Sequence, residues 1–257
     1  MKATGCMPVE QNKGSFSALQ YIHAMRLTWW KITAIVLLAY AVIGGLLLPV
    51  PELTQLGETI RNLYYHVCMW FAMMILFTIS IAQCIKYLRT GLIEHDIKAS
   101  SYAGVGTYLG ILGYATGAIW ASFTWADPNN PAFASFGSIM REPKLIGAAI
   151  ALLIYGAYFI LRSSITDMDQ RARVSAVYNI FAYAMLFPSI WIIPRLLPSL
   201  HPGQEGNPAL NFNDIDARMR MVFYPAVIGW TLLGAWIATL KIRHKILLEQ
   251  KWFAHEK

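Results

Sequence analysis

Six runs of apolar residues constrain this chain more than any motif in it. They lie at about 32–48, 62–85, 102–123, 145–161, 174–193 and 221–240, each near the roughly 20 residues a helix needs to cross the hydrocarbon of a bilayer. A helix satisfies its own backbone hydrogen bonds in lipid, so such runs predict an all-α, polytopic membrane protein with six transmembrane helices. Composition agrees, with 14% of the 257 residues charged against about 25% in soluble domains. The connecting segments are too short for a separate soluble domain. Residues 1–257 therefore read as one integral membrane unit: an N-terminal segment 1–31, a core of about 32–240 and a basic tail 241–257. The first run is longer than a signal-peptide core and lacks a small-residue cleavage site after it, so it reads as a retained span.

Lys and Arg set the orientation. With both termini inside, the inner segments 1–31, 86–101, 162–173 and 241–257 hold fifteen of them. The outer segments hold six, namely Arg61, Arg141, Lys144, Arg195, Arg218 and Arg220. Positive charge collects on the cytoplasmic side, so both termini are expected there. The net charge of +7 then belongs to topology, and nucleic acid is not an expected partner; the lipid bilayer is. Cys68 and Cys84 lie sixteen residues apart on one expected helix, roughly 24 Å along its axis, and cannot bond to each other. No Cys-x-x-Cys-His is present for covalent haem attachment.

The outer segment between the third and fourth spans is unusually aromatic. It carries Trp120, Phe123, Trp125, Phe133 and Phe136. Such a stretch either lies in the headgroup region as an interfacial belt or grips a flat apolar ligand. Two histidines share its side of the membrane. His66 sits one turn inside the outer end of the second span, and His201 in the loop before the sixth. A histidine inside a span marks a functional site by default, the alternative being a hydrogen-bonded packing residue. Imidazole is a common axial ligand of haem iron, indoles can contact the porphyrin, and Arg61, Arg195 or Arg220 can clamp its propionates. Phosphate-loop, serine-hydrolase and zinc-protease signatures are absent from the sequence. Asp214, Asp216 and Glu205 read as solvated loop acids.

Arg61-x-x-Tyr64-x-His66-Val67, the Trp-rich outer segment, Pro188 near the end of the fifth span and Ile215-Asp216-x-x-Met219-Arg220 are similar to the cytochrome c maturation protein C (haem exporter protein C) family. The resemblance covers about residues 30–250. It implies six spans in a bacterial inner membrane and haem b held at the outer, periplasmic face. The axial ligands would be His66 and His201, the platform Trp120, Phe123 and Trp125, and the clamp Arg61, Arg195 and Arg220. It further implies delivery to a membrane-anchored haem chaperone, alongside an ABC-transporter pair and a small membrane subunit, without covalent chemistry by this chain. The family's segment ends in a tight Trp-x-Trp-Asp. Here Asp127 and Glu142 both stand as candidates for the terminal acid. The family's second histidine follows closely on a Leu-Pro near the end of span five, where this chain has Trp191, so the role passes to His201.

Two other classes compete. A solute or haem permease subunit would carry ionisable residues at mid-membrane, which spans four and six lack. A b-type electron-transfer subunit would pair histidines inside facing spans, and only His66 lies in one. A synthetase-type haem-attachment component is the nearest alternative within the same chemistry.

Overall fold

A computed structural model describes residues 28–52, 56–127, 129–130, 135–192, 196–197 and 215–255, with side chains to Leu248. The described residues are helical, with no strand among them. In chain order they form α1 (Trp29–Leu47), a 3₁₀ turn (Gly57–Asn62), α2 (Leu63–Thr90) and α3 (Ile93–Thr124). A single-turn α4 (Phe136–Ile139), α5 (Pro143–Ser164), α6 (Met168–Phe187), a π-turn (Pro188–Ile192) and α7 (Ala217–His255) follow. Five stretches are long and apolar enough to cross a membrane: Trp29–Leu47, Gly57–Thr90, Pro143–Ser164, Met168–Ile192 and Ala217–Leu248. The helix α3 is not among them, because Gly, Ser, Thr and Tyr dilute its apolar residues.

That dilution has a structural purpose. Gly106, Gly110, Gly113 and Gly117 recur along one face of α3, and an added Cβ on each would strike Phe77, Met73, Trp70 and His66 of α2 respectively. As the α3 positions advance by 4, 3 and 4, the α2 positions retreat by 4, 3 and 4, the register of an antiparallel pair. Without a hydrophobic drive between helices in lipid, close packing on small residues is what holds spans together. Here the bulky side chains of α2 fill the groove that the glycines leave. Around this pair, α7 packs on α1, α2 and α3, and α6 on α2 and α5.

Three boundaries differ from the sequence reading. The charged connector 86–101 is not a loop: α2 runs to Thr90, Gly91 turns the chain at φ +68° with its N–H on the Tyr87 carbonyl, and α3 begins at Ile93. Only glycine adopts that left-handed C-terminal geometry without strain. The residues from Glu94 to Ser101 are helical because Asp96 has a partner across the bundle. Arg162 Nη1 and Nη2 donate to its two carboxylate oxygens at 2.7 and 2.5 Å. The segment 162–173 is likewise mostly helix. Its start at Met168 is capped by the Asp167 carboxylate, which accepts from Gln170 N at 2.7 Å. Finally, the basic tail is continuous with the sixth apolar run as the single helix α7. Cys68 and Cys84 are buried, unbonded thiols on α2.

Candidate functional site

The site forms where the 3₁₀ turn, the first turns of α2 and the last turns of α3 meet. His66 lies half-buried on α2, its ring pressed onto α3 at Gly117 and bonded to the Gly113 carbonyl. A Cβ on Gly117 would fall 2.8 Å from His66 Nδ1 and overlap the ring carbon beside it, so the imidazole occupies space that only glycine leaves open. Two tryptophans stand edge-on to it. The Trp70 ring centroid lies 6.4 Å away at 75° and that of Trp120 6.0 Å away at 72°.

The ring's protonation state follows from one contact. His66 Nδ1 lies 2.7 Å from the Gly113 carbonyl oxygen, which can only accept, so Nδ1 carries the hydrogen and Nε2 keeps a lone pair. Thr116 Oγ1 lies 3.4 Å from the same nitrogen. No described residue hydrogen-bonds Nε2. This is the tautomer and the backbone anchoring that metal-ligating histidines use: the second N–H is tied down, which fixes the ring and raises its basicity. No group of three or more His, Cys, Asp or Glu that could hold a bare metal ion occurs among the described residues. A cargo that brings its own equatorial nitrogens and needs one or two imidazoles fits this donor set better than a free ion does.

The collar around His66 is tightly cross-linked, by neutral side chains and by Arg61. Trp120 Nε1 donates to Thr59 Oγ1 at 3.0 Å, and Asn62 Nδ2 to the Thr116 carbonyl at 3.4 Å, so the 3₁₀ turn is fastened to α3. Trp230 Nε1 of α7 donates to the Tyr64 carbonyl at 3.2 Å, fastening the first turn of α2. Arg61 serves the same collar: its Nη1 donates to the Gly45 and Leu48 carbonyls at 2.7 Å each, and its Nε to Glu58 at 2.6 Å. The last carbonyls of α1 would otherwise be orphans of helix termination.

These contacts sort the residues singled out in the sequence. Trp120 joins His66. Trp125 packs instead with Ala121, Ile139, Leu145 and Met140, against α4 and the start of α5. Phe123 is 78% exposed. Trp120 lies on α3 and Trp125 just past its end, and the two pack in separate clusters. The first half of the aromatic segment is thus helix. Of the two acids, Glu142 is buried and caps α5, accepting from Lys144 N at 2.8 Å and Leu145 N at 3.3 Å. Asp127 is exposed and closes a turn by accepting from Asn129 N at 2.9 Å. Arg220 is half-buried in the first turn of α7. His201 and Arg195 lie outside the described residues.

A family model described as heme exporter protein C (CcmC) matches residues 12–255. The chain belongs to that family. Heme exporter protein C is a haem-handling membrane component of cytochrome c maturation, so the chain is a multi-pass membrane protein of that class. Within it, His66 is a half-buried imidazole whose Nδ1 is tied to the Gly113 carbonyl and whose Nε2 no described residue engages. Sequence reasoning missed Trp70, Gly113 and Gly117. Trp70 follows His66 by one helical turn, and the glycines recur at helical spacing, so the signal was present in both.

Proposed function

We propose that the chain binds haem b at the outer face of a bacterial inner membrane and hands it to a membrane-anchored haem chaperone. It does so beside an ABC-transporter pair and a small membrane subunit, with six spans and both termini on the cytoplasmic side. The observation that carries this reading is the His66 Nδ1–Gly113 carbonyl bond at 2.7 Å, which leaves Nε2 as the nitrogen to meet iron. His201 would supply the opposite axial position. Trp120 is the indole best situated to line the ring, with Phe123 further along α3 and Trp125 just past its end. Arg195 and Arg220 are the cations for the propionates. Arg61 fits that role less well, because its Nε and Nη1 already serve Glu58 and the end of α1.

The reading makes the chain a holder of cargo rather than a catalyst of bond formation. Its test is the absorption spectrum of protein purified from haem-replete cells. The wild type should show a Soret band, His66→Ala should lose most of it, and exogenous imidazole should restore part of it by entering the vacated space. A His66→Ala protein with an unchanged Soret band and unchanged ligation would remove His66 from the site.

A further inference from the structure

At the opposite end of the bundle from His66, α3 and α7 form a seam with a cation set into it. Lys241 Nζ lies 5.6 Å from the centre of the Tyr108 ring. It would be 3.1 Å from a Cβ on Gly104, so the ammonium is pressed against the backbone of α3. One turn along α7, Lys245 Nζ donates to Ser100 Oγ at 3.0 Å. The two acids on this part of α3 are both paired, Glu94 with Lys98 and Asp96 with Arg162. Lys241 has no carboxylate partner among the described residues.

Depth makes that notable. Gly104 is six residues beyond Lys98, about 9 Å further along the helix toward the bundle centre. A cation at that level is costly in hydrocarbon unless a counter-charge accompanies it. Beyond it the seam turns apolar and stays exposed: Tyr108 is 66% accessible, and Leu112 and Ile237, each one turn deeper, are exposed too. Two ammonium groups set along the seam, with exposed apolar side chains running inward from them, match one kind of molecule, an anion with hydrocarbon tails.

We propose that this seam is a binding site for an anionic phospholipid. Its phosphodiester would bridge Lys241 and Lys245, and an acyl chain would lie along Tyr108, Leu112 and Ile237. Basic recesses between transmembrane helices bind such headgroups. The inference rests on the chain crossing a bilayer and is independent of the haem site.

Full-length protein, delipidated in mild detergent, is titrated with phosphatidylglycerol and, separately, with phosphatidylcholine, and bound lipid is counted by native mass spectrometry. Wild type should prefer phosphatidylglycerol. Lys241→Gln/Lys245→Gln should weaken that binding roughly tenfold and leave phosphatidylcholine binding unchanged. Lys86→Gln/Arg89→Gln removes the same charge from exposed positions at the same end and should change it less than twofold. If the seam variant is not recovered folded, Gly104→Leu keeps both charges, fills the recess, and should lose the preference instead. No preference in the wild type, or equal loss in the two charge-removing variants, overturns the proposal. Gly104→Leu binding like wild type overturns it as well.

Discussion

At the His66 end of the α2–α3 pair the cross-links are made by neutral side chains, apart from Arg61, which caps α1 and pairs with Glu58. At the other end a buried ion pair, Asp96 of α3 with Arg162 of α5, ties α3 into the bundle, the two side chains 5% and 15% exposed. Beside that pair Asn179 Nδ2 donates to Ser80 Oγ at 2.8 Å, and Ser80 donates to the Ala99 carbonyl at 2.7 Å. The contrast teaches what each end is for. A salt bridge with satisfied partners fixes one geometry, because the alternative is an unpaired charge in a low dielectric. Neutral hydrogen bonds and aromatic edges hold a ring in place while leaving one nitrogen with a lone pair. One end fastens the bundle; the other leaves an imidazole nitrogen uncommitted among the described residues.

The contrast is broken most severely at the ion pair. Arg162→Ala leaves the Asp96 carboxylate buried and alone, and should cost about 3–5 kcal/mol of stability, read as a fall in thermal unfolding temperature in detergent. Asp96→Ala/Arg162→Ala should be less destabilised than either single variant. Haem per folded molecule should stay at the wild-type level in all three. A specific loss of the Soret band from correctly folded Arg162→Ala would mean that the two ends are not separable.

Gly117→Ala sharpens the other side of the comparison. The new methyl meets the His66 ring, and relief requires the imidazole to leave the Gly113 carbonyl. The expected cost is about 1–3 kcal/mol, with a larger effect on haem occupancy than on helix content. Gly156→Ala is the matched control, because nothing lies within 4 Å of its added Cβ. It should be neutral or slightly stabilising through helix propensity alone, by up to about 1 kcal/mol, and should keep its haem.

How much of this was legible beforehand follows from which forces leave marks in sequence. The spans were legible, since burial in lipid demands long apolar runs. His66 was legible because an ionisable ring in such a run is rare. The faces of the helices were not. In water one side of a helix is apolar and the other polar, but in lipid both can be apolar, so periodicity does not say which side meets a neighbour. The mark of contact is small size instead, and the Gly106–Gly117 spacing carries it. The charges of 94–98 read as loop because nothing local announces that Arg162, 66 residues after Asp96, will pair with it. Trp120 and Trp125 read as one platform because their neighbourhood in sequence conceals a turn of helix between them.

Those two indoles give a smaller test. Trp120→Phe removes the bond to Thr59 and should cost about 1 kcal/mol, as should Thr59→Val, with little further loss when the two are combined. Both should shift the Soret maximum, because the 3₁₀ turn then sits less firmly against α3. Trp125→Phe, in a separate cluster, should leave the maximum where it is. An equal shift in Trp125→Phe would reunite the two tryptophans in one site.

The smallest effect concerns the entry to α7. Asp216 Oδ1 accepts from Arg218 N at 2.9 Å and from Arg218 Nε at 3.2 Å, while its carbonyl accepts from Arg220 N at 3.0 Å. These bonds from Arg218 hold the Asp216 carboxyl below the usual carboxylate range. A carboxylate whose acidity is raised by folding stabilises the folded state above its unfolded pKa, and that contribution is lost as pH falls through the folded one. The cap should therefore be intact at neutral pH and fade only below about pH 4. Because the side chains are solvent-exposed, the contribution is small. Asp216→Asn should flatten the acid limb of the unfolding-temperature profile slightly and leave pH 6–8 nearly untouched. A change at neutral pH as large as that of Trp120→Phe would place Asp216 in the collar around His66, beside Arg61 and Glu58, rather than at a solvated helix start.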